Sequence, residues 1–338
     1  MAGKRHARAD VVIARIAQMR FVHGTPTRPA AAGFLLASLL GGCAGPLSAL
    51  DPAGPGAAAI AVLWWGMLVG AALILLGVLL LLAHALRPRA GPRPVSERLM
   101  LGGAGVLFPL VTLTVLLVFA LRTGEALLPH RSAGDQPLVV EARGQQWWWE
   151  FVYPEFEGAP LYTAGTLHIP AGRPVDVHLS SRDVIHGFWV PRLAGKLDAI
   201  PGHRTVLRLQ ADQAGTYAGL CAEFCGLEHT RMTFTIVAHE PAAFPERLTA
   251  LAAPPPAAEP EVAAAFAAGC GTCHSTDARI RGSGGAPNLA GIGRRMPDDL
   301  ARLLAHHPAS RPGLRMPDHA VPDATMLERI AAYLEDLR

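Results

Sequence analysis

Between Asp51 and Arg87 the chain carries no Asp, Glu, Lys or Arg, and Ile60 to Leu82 is almost wholly apolar. At about 1.5 Å of rise per residue, such a run covers the roughly 30 Å hydrocarbon core of a bilayer. It predicts a spanning helix over 57–85. A second charge-free run, Leu99 to Leu121, is bounded by Arg98 and Arg122, which places basic residues at both interfaces and predicts a second span over 99–121. Pro109 lies inside it, where neighbouring side chains can satisfy the carbonyl it frees. Beyond Leu138 the pattern shortens to alternating runs such as Thr166-Leu-His-Ile, Val175-Asp-Val-His-Leu and Thr205-Val-Leu-Arg-Leu, separated by Pro-Gly turn signals. These predict a small β-sandwich or barrel over 135–240. Segment 241–260, running into Ala252-Ala-Pro-Pro-Pro-Ala-Ala-Glu-Pro-Glu, reads as a stiff, extended Pro/Ala-rich linker that holds its neighbours apart. A third unit follows over 261–338, with a helix from Glu261 to Gly269 and an amphipathic terminal helix from Asp323 to Leu337.

The loop between the two spans holds Arg87, Arg89, Arg93 and Arg98 against one acid, Glu97. By the positive-inside rule it is cytoplasmic, which places both termini outside. Upstream, Arg28, the short apolar run Ala30 to Leu40, and Leu40-Gly41-Gly42-Cys43 resemble a bacterial lipoprotein signal over 1–42, with Cys43 as the lipidated first residue. Residues before Met19 read as a basic extension or an early start. A hydrophobic share of 51% with 17% charged residues agrees with a membrane portion, and a net charge of +3 on 338 residues gives no reason to expect nucleic acid as a partner. Five cysteines are too few and too oddly placed for a disulfide framework, so each needs its own explanation.

Two of those explanations lie in one place. Cys221-Ala-Glu-Phe-Cys225-Gly-Leu-Glu-His229-Thr-Arg-Met232 brings two thiols, an imidazole and a thioether onto one loop. Soft sulfur with imidazole suits copper, and the set lacks the oxygen ligands that magnesium or calcium would take. Two cysteines on one loop can bridge a pair of metal ions through their sulfurs. A second histidine is then required, and His186 in Ser181-Arg-Asp-Val-Ile-His186-Gly-Phe-Trp supplies it from a separate strand end.

With these residues in place, 51–240 resembles subunit II of cytochrome c oxidase, a family with two membrane helices and an external cupredoxin-like domain holding a dinuclear copper centre, CuA. The resemblance implies Cys221 and Cys225 as bridging thiolates, His186 and His229 as terminal imidazoles, and Met232 as a weak ligand to one copper. It implies the Glu223 backbone carbonyl as weak ligand to the other copper, and the Glu223 carboxylate at a magnesium site shared with subunit I. In Gly144-Gln-Gln-Trp147-Trp148-Trp149-Glu-Phe it implies Trp147 as the point where electrons enter, and it turns the loop Gly195-Lys196-Leu-Asp198-Ala-Ile-Pro-Gly towards subunit I. One departure stands out: Gly102 occupies the position where the family often has a glutamate at a proton channel, and Glu97 is the nearest acid.

Cys270-Gly-Thr-Cys273-His274 is the attachment pattern of a c-type haem: two thiols add to the haem vinyl groups and the adjacent histidine binds iron. A zinc half-site would need a second ligand cluster, and none is evident. With Pro287-Asn288-Leu289 and Arg315-Met316-Pro317, the unit resembles a class I cytochrome c, which implies Met316 as the axial ligand, with Met296 as the alternative. The fold expected is therefore a membrane-anchored, multidomain chain of two transmembrane helices, a cupredoxin-like β-sandwich and a small all-α cytochrome c domain.

The resemblance implies an electron-transfer subunit of a proton-translocating, oxygen-reducing oxidase in the bacterial inner membrane, with both large domains on the outer side. Its partners would be subunit I, which holds haems and a third copper, and subunit III. The donor would be an external c-type cytochrome or a quinol–cytochrome c reductase. The alternative is a CuA-bearing subunit of a nitric oxide or nitrous oxide reductase. Residues 261–338 hold nine arginines, no lysine and nine acids. That balance predicts weak, largely apolar docking of the tethered domain and electron transfer nearly independent of ionic strength.

Overall fold

The computed structural model describes residues 44–87, 96–129, 136–295, 300–306 and 323–337. The leader over 1–42, Cys43, Met296 and Met316 lie outside the described residues.

The first apolar run forms helix α1, Pro55–Leu86, opened by an extended Gly54 and by Pro55, whose fixed φ suits a first helical turn. The second begins as a π-helical segment, Leu99–Leu107, and continues as α2, Phe108–Leu127. Three glycines at 102, 103 and 105 weaken ordinary helical pairing there, and the Phe108 amide reaches back to the Gly103 carbonyl just before Pro109, which has no N–H to give. Apolar side chains stay exposed along both helices, Leu81 at 66% and Leu113 at 65%. Water does not tolerate such a surface, and both helices have the length and composition to cross a membrane.

Ten strands build the sandwich: β1 Leu138–Gln145, β2 Trp148–Phe156, β3 Ala159–Ala164, β4 Thr166–Pro170, β5 Val175–Ser181, β6 His186–Trp189, β7 Leu197–Ala199, β8 Thr205–Leu209, β9 Gly215–Cys221 and β10 Thr233–His239. They form two five-stranded sheets, in the orders β3-β2-β1-β5-β8 and β4-β10-β9-β6-β7. Alternate side chains from both sheets meet between them, where Trp149, Phe151, Phe188, Leu161 and Ile236 are fully buried. Phe188 and Phe234 stack at 4.5 Å, with Trp149 edge-on to both.

The start of α1 is tied to this sandwich. Ala53 N–H donates to Arg192 O at 2.7 Å, Ala57 N–H to Leu193 O at 3.1 Å, and the Arg192 guanidinium pairs with Asp51 at 2.9 Å. A side chain at position 54 would strike the Gln210 carbonyl, so the close approach requires Gly54.

The linker is not extended throughout. Residues 243–252 form helix α3, Ala243–Ala252, which buries Phe244, Leu248 and Leu251 in the sandwich core. Their spacing puts one apolar stripe on a helix, and it outweighs the Pro/Ala composition. The extended stretch is confined to 253–259. Beyond it come α4 Pro260–Gly269, a single turn α5 Ile292–Arg295, α6 Leu300–His306 and α7 Ala324–Glu335. Val262, Phe266, Cys270, Ile292, Leu300, Ile330 and Leu334 form a second apolar cluster among these helices. Asp323 caps α7 by accepting from Thr325 N–H.

The linker also does not hold the two domains apart. Ala278 is buried with the sandwich core, and its carbonyl accepts from Tyr162 N–H at 2.8 Å. The docking is polar rather than largely apolar, because arginines of residues 279–295 reach carboxylates and carbonyls of β2 and β3. Leu248→Ala is expected to lower stability by about 2–4 kcal/mol, the range for truncating a buried leucine. Thermal unfolding of the full chain checks this, and an unstructured linker would show no change.

Candidate metal centre

Strand register places the ligands. In the pairing of β6 with β9, Phe188 lies opposite Cys221, and Ala222 N–H donates to Gly187 O at 2.8 Å. His186, two residues before Phe188, is thereby set beside the end of β9. From the other side, Cys221 N–H donates to Met232 O at 2.9 Å, so the first residue before β10 lies opposite the last of β9. The intervening loop closes through Gly226 in a left-handed conformation, φ +117, and a short 3-10 turn, His229–Arg231.

This brings all five predicted side chains together. The Cys221 and Cys225 sulfurs are 3.8 Å apart and unbonded. His186 Nδ1 lies 3.9 Å from Cys221 Sγ, His229 Nδ1 lies 3.5 Å from Cys225 Sγ, and Met232 Sδ lies 3.8 Å from Cys225 Sγ. The Glu223 carbonyl is 3.2 Å from Cys221 Sγ. Both cysteines, His186 and Met232 are buried. A metal–sulfur bond is about 2.3 Å, so two sulfurs sharing an ion stand no more than about 4.6 Å apart. The pair satisfies that limit, with one imidazole nitrogen and one weaker donor at each end.

Protonation agrees with a site for cations. Burial raises both thiols; for Cys221 the hydrogen bonds from His186 and from the backbone at Glu223 and Gly187 outweigh burial and bring it down to about 7. Cys225, buried and facing the Cys221 charge, is pushed up to about 12. Burial disfavours a charged His186, but the Cys221 and Asp183 hydrogen bonds raise it.

Three supporting residues carry no obvious signal in the sequence. His186 Nε2 donates to Asp183 Oδ1 at 2.8 Å, which fixes the ring with Nδ1 facing the sulfurs. Asp183 Oδ2 accepts from Gln146 N–H at 2.7 Å. Burial works against its charge, yet these bonds hold the carboxyl below the usual range. Gly144 lets the His186 ring approach β1, since a Cβ there would come within 2.8 Å of the imidazole. The Trp147 Nε1–H and the Gln146 side-chain amide both donate to the Cys225 carbonyl, at 3.0 and 2.8 Å. Of the three tryptophans only Trp147 makes this contact; Trp149 belongs to the core.

The Glu223 carboxylate and Asp198 both approach Lys196, at 3.4 and 3.6 Å. An ammonium already lies between them, so these groups do not by themselves fit magnesium. Gly102 lies in the π-helical segment with no neighbouring side chain within reach of a Cβ.

In the C-terminal domain, α4 ends at Cys270, which is buried, and Cys273 is half-buried; both are free thiols. His274 Nδ1 lies 2.8 Å from Pro287 O. A carbonyl only accepts, so Nδ1 carries the hydrogen and Nε2 keeps its lone pair. Burial lowers the His274 pKa and favours that neutral form. The donor set therefore fits a covalent haem on one side. Asp183→Ala is expected to weaken metal binding about 10–100-fold, as losing a histidine's orienting partner does; competition with a chelator measures it, and unchanged affinity would contradict the role given to Asp183.

Residues 159–239 match the family described as "Cytochrome C oxidase subunit II, periplasmic domain". Cytochrome c oxidase subunit 2 of Alkalihalophilus pseudofirmus is 34% identical over 219 residues, 61% of this chain and 63% of that protein, so the matched part spans just under two thirds of that relative. Quinol oxidase subunit 2 of Bacillus cereus is 30% identical over 209 residues, 59% of this chain and 71% of that protein. Among solved structures, the periplasmic domain of subunit II of cytochrome oxidase (CoxB) of Bradyrhizobium japonicum is 27% identical, covers 33% of this chain and 91% of that one, and has a TM-score of 0.32. The chain belongs to the cytochrome c oxidase subunit II family.

Proposed function

We propose that this chain is the electron-accepting subunit of a haem–copper oxidase, taking electrons at a covalent haem c and passing them through a CuA centre to subunit I, where oxygen is reduced to water with proton translocation. The observation that carries this reading is the convergence of buried Cys221, Cys225, His186 and Met232 with half-buried His229. When bound, the copper pair and the haem each supply a carrier that accepts and releases one electron without moving a proton.

The chain's own residues prepare those sites. Cys221, Cys225, His186 and His229 would hold the copper pair, with Met232 and the Glu223 carbonyl as weaker donors. Asp183 fixes the ring of His186. Trp147, joined to the Cys225 carbonyl, gives the surface a short connection to the thiolate. Cys270 and Cys273 would attach the haem, and His274 and Met316 would hold its iron. A quinol donor would give no reason for five soft or imidazole groups to converge, which favours this reading over the activity named for the quinol oxidase relatives.

The external domains lie on the periplasmic side by the arginine-rich loop between the spans, and Cys43 carries a lipid anchor. Subunit III and a c-type cytochrome or quinol–cytochrome c reductase complete the assembly. A magnesium at Glu223 would need ligands from subunit I and displacement of Lys196.

Cys221→Ser is expected to abolish the mixed-valence electron paramagnetic resonance signal while leaving haem attached, since a hydroxyl does not replace a bridging thiolate; persistence of that signal would refute the assignment. Met316→Ala is expected to keep covalent haem and to lose the sulfur-to-iron charge-transfer band. If the band survives, the ligand is Met296.

A further inference from the structure

We propose that Arg279 and Arg281 latch the C-terminal domain onto strands β1–β3, and that this seated contact, through Gln145, is the connection between haem and copper. The inference rests on reading Cys270 to His274 as the haem site.

The latch is built around Glu150, whose side chain is only 5% exposed. Arg143 and Arg182 of the sandwich approach it at 3.3 and 2.9 Å. Arg281 of the C-terminal domain adds a two-pronged contact, Nε to Oε1 at 2.8 Å and an Nη to Oε2 at 2.9 Å. A carboxylate removed from water needs such paired donors, and a bidentate guanidinium fixes direction as well as distance. Arg279 extends the contact by pairing with Glu157 at 2.7 Å, donating to Phe156 O at 2.9 Å and covering the Phe156 ring at 5.3 Å. Arg295 donates to Ala164 O at 2.9 Å. Glu157 is largely exposed, so its pair contributes less than the enclosed one at Glu150.

What the latch seats is the turn beside the haem attachment. Ser283 N–H donates to Cys273 O and the Ser283 hydroxyl to Thr272 O, both at 2.8 Å. Two residues on, the Gly285 carbonyl accepts from the Gln145 side-chain amide. Gly285 sits at φ +85, and a Cβ there would come within 3.1 Å of that amide. Gln145 is followed by Gln146 and Trp147, both bonded to the Cys225 carbonyl. An unbroken run of covalent and hydrogen bonds thus leads from Cys273 to Cys225. Along it one electron leaves the reduced haem and enters the oxidised copper pair, with no atom transferred.

The Tyr162 amide, which donates to Ala278 O, reports the docking without reference to either cofactor. Hydrogen–deuterium exchange is measured on the full-length chain, with haem and copper contents checked separately. Arg279→Ala/Arg281→Ala is expected to speed exchange at Tyr162 and over 278–286 by about tenfold or more, the size of effect for losing charge-assisted contacts. Laser-flash transfer from haem to copper is expected to slow at least as much. Arg281→Lys, which keeps the charge and loses the fork, falls between. Should the double variant lose its fold, the swap Arg279→Glu/Glu157→Arg serves instead: each single change speeds exchange and the pair together restores protection. Unchanged exchange in these variants overturns the latch. Faster exchange with an unchanged transfer rate overturns the claim that the seated contact carries the electron. A chain without covalent haem refutes the haem reading alone, since Tyr162 protection still reports docking.

Discussion

Two thiol sulfurs held 3.8 Å apart in a buried pocket are the constraint on which the centre depends. In the metal-free chain the two cannot both ionise readily. Charge on Cys221, favoured by His186 and the backbone, raises the cost of charge on Cys225, and burial disfavours both. Metal cations remove that conflict, because they neutralise both thiolates at once and displace protons as they bind. The sandwich supplies the rigidity that keeps the sulfurs close before metal arrives. β9 and β10 are paired up to the residues flanking the loop, and β6 is paired to β9 at Phe188 and Trp189. A slip of one residue in either pairing would turn His186 or Met232 to the opposite face.

The same register explains why the candidate site was legible in sequence and its support was not. Cys221, Cys225, His229 and Met232 share one loop, so their chemistry is visible as a string, and a second imidazole is a small search. Asp183, Gln146 and Gly144 act across strands that the string does not bring together. An Asp three residues before a histidine is common, and only the turn after β5 aims it at the ring. The requirement for Gly144 comes from the approach of His186, on a strand in the other sheet.

The linker and the docking surface show a different reason for misreading. Phe244, Leu248 and Leu251 carry a helical stripe, yet they directly precede Pro254-Pro-Pro, and the Pro/Ala composition of the segment masks the stripe. Averaging also hid the docking chemistry. Nine arginines against nine acids give no net charge, but binding depends on where charges lie. Arg279 and Arg281 stand on one short stretch opposite Glu157 and Glu150, whereas the pairs of Arg329 with Glu259 and Glu261 lie within the domain itself.

Docking also carries an opposing charge effect. The same arrangement brings Arg294 towards Arg247 and the His168–His239 pair, whose ring nitrogens are 2.9 Å apart. Burial first, then the charge of Arg294, lowers the pKa of Arg247; burial, Arg247, His239 and Arg294 together bring His168 down to about 3. The cleft of about 600 Å³ that these residues line contains no acidic side chain among its described residues. Attraction at Glu150 and repulsion at Arg247 therefore act within one interface. Because the carboxylate at Glu150 is enclosed and solvent reaches Arg294, screening weakens the repulsion more than the attraction. The weak dependence on ionic strength expected of the tethered domain would then rest on an enclosed carboxylate rather than on apolar docking.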